Sequence, residues 1–569
     1  MDSRVKRLRL WGAACAAVMI LWGCSLIGGQ ADRAGNGIGE NTEEDWAREA
    51  GGGQRKDNPD EVRVRNGGED EPGEYDWHGS SKESGESVWK ESTGEPRKSV
   101  RNKNGGESKE YGLDGADGGP EWNTEERSGQ PAHYGIEAIQ GREGGNMAGE
   151  ALRMIQRRNR ALRQNRIYQI LENDIPLPSH YDARKDGRTA PVQDQRELGT
   201  CWAFSSLLAL ENALLPEEAW DFSEDHMSHN PNFILGQENG GEYTMSMAYL
   251  LSWQGPVTEE QDPYGDGISP EGLMPVKHVQ EIRILPEGNL EEIKRTILAC
   301  GGVQSSLYTT IQNGKGQSEY YNPAASAYCY PKKTTPNHDV VIVGWDDDFP
   351  KEAFGGKAEG NGAFLCENSW GTEFGDNGFF YVSYYDGNLG QTNIAYTAVE
   401  EPDNYDGIYQ SDLCGWVGQI GYGEDTAWAA NVYTAEREEQ VTAVGFYATG
   451  PNTAYQVYVL QDVPQKAVSA LRNKGKPLAE GKLKHAGYYT VSLEEMVHVK
   501  PGERFAVMIC LTTPGTIHPI AIEYDAEDNK SRIDLEDGEG YISYEGKYWA
   551  SAEENQSCNI CLKAYTAIR

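Results

Sequence analysis

"QDQRELGTCWAFSSLLALENALL", residues 193–215, places a cysteine at the head of a segment that otherwise reads as a buried helix. The run after the cysteine is apolar on nearly every side and rich in helix formers, which predicts a core helix from Cys201 to Leu215. Gly199 and Thr200 break the pattern, so the thiol falls in the first turn, where unpaired N–H groups and the helix dipole favour negative charge. Cys201 is therefore a candidate nucleophile, because the thiolate is the reactive form of cysteine.

Two later strand-like segments carry a candidate base and a group that can orient it. His338 begins "HDVVIVGW", whose β-branched content predicts a strand that holds the imidazole rigidly. "ENSWG" places Asn368 at the end of the next predicted strand, where its amide can accept the second imidazole N–H. Gln195 can donate a side-chain N–H to an oxyanion together with the backbone N–H of Cys201. Each residue alone has an ordinary structural interpretation, but the four contexts in this order favour a catalytic site.

These motifs resemble those of the papain-like cysteine peptidases, over about residues 177–385. "LPSHYDARKDGRTAPVQDQRELGTCWAFS" is similar to the mature N-terminus and nucleophile segment of that family, "NHDVVIVGW" to its histidine strand and "ENSWG" to its asparagine turn. By that resemblance Cys201 is the nucleophile, His338 the base, Asn368 the orienting residue and Gln195 the oxyanion donor, and Trp370 shields the bond between Asn368 and His338 from water. The resemblance also implies a two-subdomain peptidase, with a cleft between a helical half and a β half.

Substrate contacts follow from the same resemblance. The "NGG" segment is similar to the one whose backbone pairs with an extended peptide in the family; it consists of Asn239, Gly240 and Gly241. Asp339 is implied to lie near the pocket for the side chain two residues before the cut, where a carboxylate would favour basic side chains. The family usually has a disulfide at the positions of Leu198 and Glu238, so both cysteines of that bridge are replaced together.

One spacing departs from the family. Cys201 and His338 are 137 positions apart, within the family range of about 130 to 150, but Asn368 lies 167 positions after Cys201. The excess falls in "DDDFPKEAFGGKAEGNG", residues 346–362, which we interpret as a surface insertion that preserves the site. Its acidic run is typical of a solvated loop rather than of a calcium site.

The remaining histidines and cysteines do not indicate metal or redox chemistry. His226 and His229 in "EDHMSH" are weak candidates for metal ligands, and Cys558 and Cys561 form a single CxxC without a second pair, which favours a structural role. The eight cysteines beyond residue 27 are too sparse for a disulfide scaffold. No metal or organic cofactor is implied.

The chain is predicted to be α+β, with an all-β domain after the peptidase. In residues 177–400 helical segments come first and strands after, which favours an α+β domain over a βαβ array. In residues 401–569 short strands alternate with turn signals, as in a β-sandwich. This second domain is similar to the lectin-like domain of some bacterial surface peptidases, which leaves two hypotheses for it, glycan binding and a purely structural role.

The N-terminal part predicts export and a tether. A basic start and an uncharged apolar run, within residues 1–27, are typical of an export segment. Cys24 resembles a lipidation site, and the alternatives are a cleaved signal and a retained anchor. Residues 28–150 are Gly-rich and acidic, which predicts disorder, and residues 151–176 predict a basic helix that is either a connector or the remnant of an inhibitory prosegment.

Charge and motifs together define the functional expectation. The formal charge of -37 excludes nucleic acid as a partner and favours a soluble monomer. We expect an exported cysteine endopeptidase that hydrolyses peptide or protein substrates through an acyl-enzyme, with a membrane tether if Cys24 is lipidated. The alternatives are a surface adhesin that binds glycans on an inactive papain-like scaffold, and an exopeptidase with one end of the cleft blocked.

Overall fold

A computed structural model describes residues 63–64, 145–311, 316–526 and 530–568, with side chains described from residue 157 onward. The predicted export segment 1–27, with Cys24, and most of the predicted tether 28–150 lie outside the described residues. In the part of the chain that is described, no helix has both the length and the apolar character needed to cross a bilayer.

In the described part of the chain, five of the six α-helices lie before residue 301. They are α1 Gly145–Glu172, α2 Cys201–Leu214, α3 Glu224–Ser228, α4 Tyr243–Leu251, α5 Leu290–Cys300 and α6 Ala552–Gln556. Short 3-10 turns occur at Ala183–Asp186, Gln237–Asn239, Lys351–Phe354 and Ala467–Ser469. The predicted helix at Cys201 is confirmed, and it ends one residue early because Leu215 precedes Pro216 and is extended.

Strands dominate the second half of the described chain. Before residue 401 they are β1 Arg63–Val64, β2 His180–Asp182, β3 His278–Ile284, β4 Val303–Leu307, β5 Tyr321–Asn322, β6 Ala327–Tyr328, β7 His338–Asp346, β8 Ala363–Glu367, β9 Phe379–Ser383 and β10 Asn393–Glu400. After it they are β11 Gly407–Tyr409, β12 Gly418–Gly421, β13 Thr426–Thr434, β14 Glu439–Ala448, β15 Thr453–Leu460, β16 Ala479–Leu483, β17 Ala486–Val499, β18 Arg504–Thr512, β19 Ile520–Tyr524, β20 Gly540–Ser543, β21 Ala550–Ser551, β22 Cys558–Ile560 and β23 Leu562–Ala567. The predicted α+β class with an all-β C-terminal region is confirmed.

Residues 177–400 have two apolar cores, one for each half. The helical core contains the buried side chains of α2 and α4, among them Leu207 and Leu250. The β core is formed by β7, β8 and β9 with α5, and Trp345 and Phe364 lie in it. Helix α2 packs across β4, β7 and β10, so the helix that begins at Cys201 is fixed against the strand that begins at His338.

The C-terminal region is built on two facing antiparallel sheets, and a third, four-stranded sheet has the order β1-β12-β19-β22. One sheet has the order β16-β15-β18-β13-β20-β21, and the other contains β11, β23, β14 and β17. Phe446 of β14 and Val507 and Ile509 of β18 meet in the core between them. Residues on both faces of β18 are buried, as its sequence "ERFAVMICL" predicts.

A single sheet runs through both regions of the chain, because β17 of the sandwich pairs with β3 of the α+β region. The pairing is antiparallel and runs from Ala486 opposite Ile284 to Tyr489 opposite Glu281. Strand β3 pairs on its other edge with β10, which continues through β4, β7 and β8. The two regions therefore share backbone hydrogen bonds rather than only a linker.

Helix α1 is longer than the predicted basic helix and lies on the α+β region. Arg163 is buried and donates to Glu218 at 2.6 Å and to the backbone oxygen of Val399 at 2.9 Å. Ile167 and Leu171 complete the contact by entering the helical core. Arg163, Ile167 and Leu171 thus attach this part of α1 to the α+β region.

We predict that Gly487→Ala destabilises the protein through the sheet junction. Gly487 has φ +134°, and an added Cβ would lie 2.0 Å from the carbonyl oxygen of Ile282 in β3. Backbone strain and the steric clash together are expected to lower the free energy of unfolding by about 3 kcal/mol in urea denaturation.

Gly475→Ala is the matched control for this junction variant. Gly475 has φ +72° with nothing within 4 Å of the position that an added Cβ would take, so only backbone strain of about 1 kcal/mol is expected. If the two variants lose the same free energy of unfolding, a close junction between β17 and β3 is contradicted.

Candidate active site

The nucleophile candidate lies at the start of a buried helix. Cys201 is partly exposed, whereas every residue of α2 from Trp202 to Leu214 is buried. Thr200, at the N-cap, makes no side-chain cap; its hydroxyl lies 2.6 Å from the hydroxyl of Tyr264. Tyr264 donates its one hydroxyl proton to the backbone oxygen of Gln195 at 3.0 Å, so Thr200 is the donor to Tyr264. The loop before Cys201 is thereby tied to the Gln195 segment.

The base candidate and its partner come from neighbouring antiparallel strands. His338 is the first residue of β7, Asn368 directly follows β8, and Val341 of β7 lies opposite Glu367 of β8. This register brings Nε2 of His338 to 2.8 Å from Oδ1 of Asn368. Both side chains are buried, so the bond is protected from competing water.

A second hydrogen bond fixes which way the Asn368 amide points. Its Oδ1 also accepts the backbone N–H of Ser369 at 2.9 Å, and only an oxygen can accept that bond. Nε2 of His338 must therefore carry the proton that it donates to Oδ1. Nδ1 is left with a lone pair, which is the arrangement that a general base needs.

Trp370 covers this pair. Its ring lies over the His338 ring, with centroids 4.7 Å apart and planes inclined by 28°. Phe374 supports Trp370 from the side at 4.9 Å. The indole is therefore where the sequence prediction places a shield for the bond between Asn368 and His338.

Gln195 is held by the same turn that carries Asn368. Its Oε1 accepts from Ser369 Oγ at 2.7 Å, and its backbone N–H donates to the Ser369 carbonyl at 2.9 Å. Nε2 of Gln195 donates one N–H to the carbonyl of Leu198 at 2.7 Å. The amide nitrogen has two N–H bonds, and the bond to Leu198 uses one of them.

A line of close polar contacts joins the first turn of α2 to the start of β7. Ser206 donates to the carbonyl of Trp202 at 2.7 Å and lies 3.0 Å from Gln304 Oε1. Nε2 of Gln304 in turn lies 3.4 Å from Oδ2 of Asp339, the neighbour of His338. Sequence analysis did not identify Gln304, Ser369 or Tyr264. Ser369 lies inside the quoted "ENSWG" segment, but no local pattern revealed the partners of these three residues.

The "NGG" segment lies against the start of α2. A Cβ on Gly241 would come within 2.4 Å of the Trp202 ring, and one on Gly199 within 2.8 Å of the backbone nitrogen of Gly240. Asn239 and Gly241 are exposed. Glycine is required at positions 199 and 241 because the backbone of the "NGG" segment lies very close to residues 199–202.

Burial determines the charge states around the base. It lowers the pKa of His338 to about 4, and the bond from Asn368 acts in the opposite direction. Burial raises the pKa of the neighbouring Asp339 to about 6. His338 is therefore neutral near pH 7 in the absence of a negative partner.

The insertion lies at the opposite end of the hairpin from the site. Residues 346–362 join the end of β7 to the start of β8, whereas His338 begins β7 and Asn368 follows β8. Eight residue steps along β7 at about 3.3 Å each separate the two ends by roughly 26 Å. Phe349 and Phe354 of the insertion pack together with ring centroids 5.4 Å apart.

The other predicted cysteine and histidine candidates have local partners. His226 lies 2.7 Å from the Tyr249 hydroxyl, and His229 lies 3.2 Å from the carbonyl of Asp225. Cys558 and Cys561 are buried and not disulfide-bonded, and burial raises the pKa of both thiols. Within the described ranges, no group of three or more acidic, histidine or cysteine side chains is arranged to hold a metal ion.

Family models match the two regions separately. Residues 177–401 match the papain family cysteine protease model, and residues 408–566 match the lectin like domain model. Cysteine proteinase 2 of Entamoeba histolytica is 27% identical over 244 residues, which cover 41% of this chain and 71% of that protein. Cathepsin K of Gallus gallus is 29% identical over 216 residues, 36% of this chain and 59% of its own length. The chain thus spans only part of the length of these curated relatives.

Solved structures match both regions together. The cysteine protease and lectin-like domains of Cwp84, a surface layer associated protein of Clostridium difficile, match with TM-score 0.61 and 27% identity, over 70% of this chain and 90% of that one. Cwp84 after propeptide cleavage matches with the same TM-score and identity, over 69% of this chain and all of that one.

We predict that Asn368→Ala lowers kcat/KM by roughly 10- to 150-fold, the equivalent of a hydrogen bond of about 1.5–3 kcal/mol to a charged group. The reason is that the amide holds the ring orientation and favours the imidazolium. In the wild type, kcat/KM is expected to fall below about pH 4, where His338 becomes protonated. Because the bond to Asn368 raises the pKa of His338, loss of that bond is expected to move this acid limb of the pH profile to lower pH.

Asn555→Ala is the control, since Asn555 is exposed and bonds only locally to Ser551. Activity that is unchanged in Asn368→Ala, or an acid limb that moves upward, would contradict the orienting role.

Proposed function

We propose, from the premise that a papain-family cysteine peptidase domain is here joined to a lectin-like domain, that the protein is an exported endopeptidase acting through Cys201, His338, Asn368 and Gln195. The observation that carries the proposal is the bond between His338 and Asn368, in which the locked amide oxygen leaves Nδ1 of the imidazole as the base. A structural histidine would not need this orientation at the head of a strand that packs against the Cys201 helix.

The reaction follows from these positions. Nδ1 of His338 takes the proton of the Cys201 thiol, which forms a thiolate and an imidazolium. The thiolate attacks the peptide carbonyl, and the oxyanion is received by the backbone N–H of Cys201 and the remaining N–H of Gln195. The C–N bond then breaks as the His338 imidazolium gives its proton to the leaving amine, which leaves a thioester. Water next gives a proton to His338 and attacks the thioester, which releases the acid and restores the thiol.

Internal cleavage is supported by the position of the insertion. An exopeptidase needs a feature that blocks one end of the cleft, and residues 346–362 lie at the far end of the β7–β8 hairpin from His338 and Asn368. Asp339, with Glu242 as a further acidic neighbour, supports a preference for a basic side chain two residues before the cut.

Export to the cell surface is part of the proposal. It rests on the basic and apolar pattern within residues 1–27 and on the description of the similar Cwp84 as surface layer associated. Helix α1 is proposed to be a permanent connector rather than a removable prosegment, because its loss would expose Ile167 and Leu171 and leave Glu218 without Arg163.

The lectin-like domain carries a candidate glycan face, which supports carbohydrate binding as a second function. In a chain of net charge -37, residues 466–484 contain six cationic side chains and one acidic one. Nζ of Lys474 lies 3.8 Å from the centroid of the Trp428 ring, and the Arg472 guanidinium lies 5.4 Å from that of Tyr548. Tyr548 is 66% exposed. Aromatic faces pack against sugar rings, and adjacent cations pair with acidic substituents, so the class of ligand proposed is an anionic polysaccharide.

A groove of about 430 Å³ on the outer face of β15 and β18 extends this surface. Gln456 and Cys510 lie in its floor, and the register places Cys510 directly opposite Trp428 of β13. The cations and the groove are therefore parts of one sheet face.

We predict that an epoxide inactivator of thiol peptidases modifies Cys201 stoichiometrically and abolishes peptide hydrolysis, as Cys201→Ala also does. Cys510 is the internal control, because it is the other partly exposed thiol of the described residues and burial raises its pKa to about 11. Mass spectrometry of the labelled peptides measures the extent of modification at Cys201 and at Cys510. An unlabelled Cys201 with retained glycan binding would support the adhesin alternative instead.

For the glycan face, the double variant Arg472→Gln with Lys474→Gln is expected to weaken retention on immobilised polygalacturonate at least fivefold, in the Cys201→Ala background. Lys351→Gln with Lys500→Gln removes the same charge from two exposed sites away from the face and is expected to bind normally. This face would be ruled out as an anionic glycan site by either of two results. One is that the two double variants are retained equally on polygalacturonate, and the other is that the protein is retained equally on neutral dextran and on polygalacturonate.

A further inference from the structure

A short segment of the lectin-like domain pairs with the peptidase domain beside the cleft. The backbone N–H of Ile234 donates to the carbonyl of Lys530 at 2.8 Å, and the N–H of Arg532 donates to the carbonyl of Asn232 at 2.8 Å. Between these bonds Phe233 lies opposite Ser531 as an isolated antiparallel bridge. Residues 530–532 thus extend residues 232–234 as a strand would.

Side chains reinforce this backbone pairing. Nζ of Lys530 lies 3.3 Å from a carboxylate oxygen of Glu242. Sγ of Cys414, another residue of the lectin-like domain, lies 3.5 Å from the carbonyl of Arg532 and 3.8 Å from that of Asn232. The contact therefore combines backbone pairing with polar side-chain contacts from two places in the C-terminal domain.

The paired peptidase segment leads directly to the predicted substrate-binding backbone. Residues 232–234 are followed by the 3-10 turn Gln237–Asn239 and then by Gly240 and Gly241. Phe233 contacts Trp202, the neighbour of Cys201, edge to face with ring centroids 6.1 Å apart. A displacement of residues 232–234 would therefore be transmitted both to the turn and to the nucleophile loop.

Residues 232–241 have few anchors of their own. Phe233 is the one buried side chain in this stretch, and Ile234 is 49% exposed. Within the peptidase domain, the carbonyl of Gln237 accepts from the backbone N–H of Gly199 at 2.8 Å, and its side chain donates to Asp225 at 2.6 Å. These bonds hold the second half of the segment. The first half is held from two sides: within the peptidase domain the N–H of Phe233 donates to the carbonyl of Asn230 at 2.9 Å and Nδ2 of Asn232 donates to Gln254 at 3.1 Å, and from the lectin-like domain residues 530–532 pair with it.

We propose that the lectin-like domain is a positioning element of the peptidase cleft, in which residues 530–532 hold residues 232–241 so that the backbone at residues 239–241 is ready to pair with substrate. This inference rests on the proposed peptidase function. It assigns to the lectin-like domain a role that does not depend on any glycan. Residues 530–532 touch no reacting atom, so their effect is expected on substrate binding rather than on the chemical step.

The test compares Arg532→Pro with Arg532→Ala in the full-length chain. Proline removes the N–H that Arg532 donates to Asn232, whereas alanine keeps it and removes only an exposed side chain. With carbobenzoxy-Phe-Arg methylcoumarin amide as substrate, Arg532→Pro is expected to raise KM about fivefold. Its kcat and the rate of Cys201 alkylation by iodoacetamide stay within twofold of the wild type, and Arg532→Ala is unchanged in all three.

Amide hydrogen exchange provides a readout that is independent of catalysis. Arg532→Pro is expected to speed exchange in residues 232–241 at least tenfold and to leave α2 unchanged. Ile234→Pro, which removes the reciprocal donor, with Ile234→Ala as its control, repeats the test from the peptidase side if Arg532→Pro does not fold.

Unchanged exchange in residues 232–241, or an unchanged KM, would overturn the positioning role. If Arg532→Pro and Arg532→Ala differ in exchange as expected, but the wild-type protein neither cleaves peptide nor reacts at Cys201, the peptidase proposal is refuted instead. The two failures are therefore distinguishable.

Discussion

The bond between His338 and Asn368 is the constraint on which the rest of the site depends. An amide can present oxygen or nitrogen to an imidazole, and only one choice leaves a lone pair on Nδ1. The backbone N–H of Ser369 makes that choice by bonding the same oxygen at 2.9 Å. Because β7 and β8 are adjacent in one sheet, strand register rather than side-chain freedom sets the 2.8 Å contact. The same turn holds Gln195 through Ser369, so the positions of Asn368 and Gln195 are linked.

Burial gives this site its electrostatic character. It lowers the pKa of His338 to about 4 and raises those of Asp339 to about 6 and of Glu367 to about 8, because desolvation disfavours whichever form is charged. A single charge is therefore costly in this region. In the proposed mechanism a thiolate and an imidazolium formed together offset that cost by their mutual attraction.

The sequence predicted what local patterns encode and failed where distant segments meet. The helix at Cys201, the strand at His338 and the turn at Asn368 each carry their own periodicity or turn residues, so their positions were predictable. The pairing of β17 with β3 was not, because two apolar strands separated by some two hundred residues have many possible partners and registers. The burial of the Glu367 carboxyl was equally hidden, since nothing in "FLCENSW" shows that distant segments would enclose this side chain.

The continuous sheet changes how the two domains must be understood. If the two domains were joined only by a flexible linker, the peptidase domain could move relative to a lectin-like domain that had bound its ligand. Here backbone hydrogen bonds at β3–β17 and at residues 232–234 fix the second domain to the peptidase domain at two separate points. Two separated attachments remove rotation as well as translation between rigid bodies. Anything held by the lectin-like domain would then be presented to the cleft in one orientation, so selection among protein substrates would depend on where a ligand lies relative to the peptide and not only on the peptide itself.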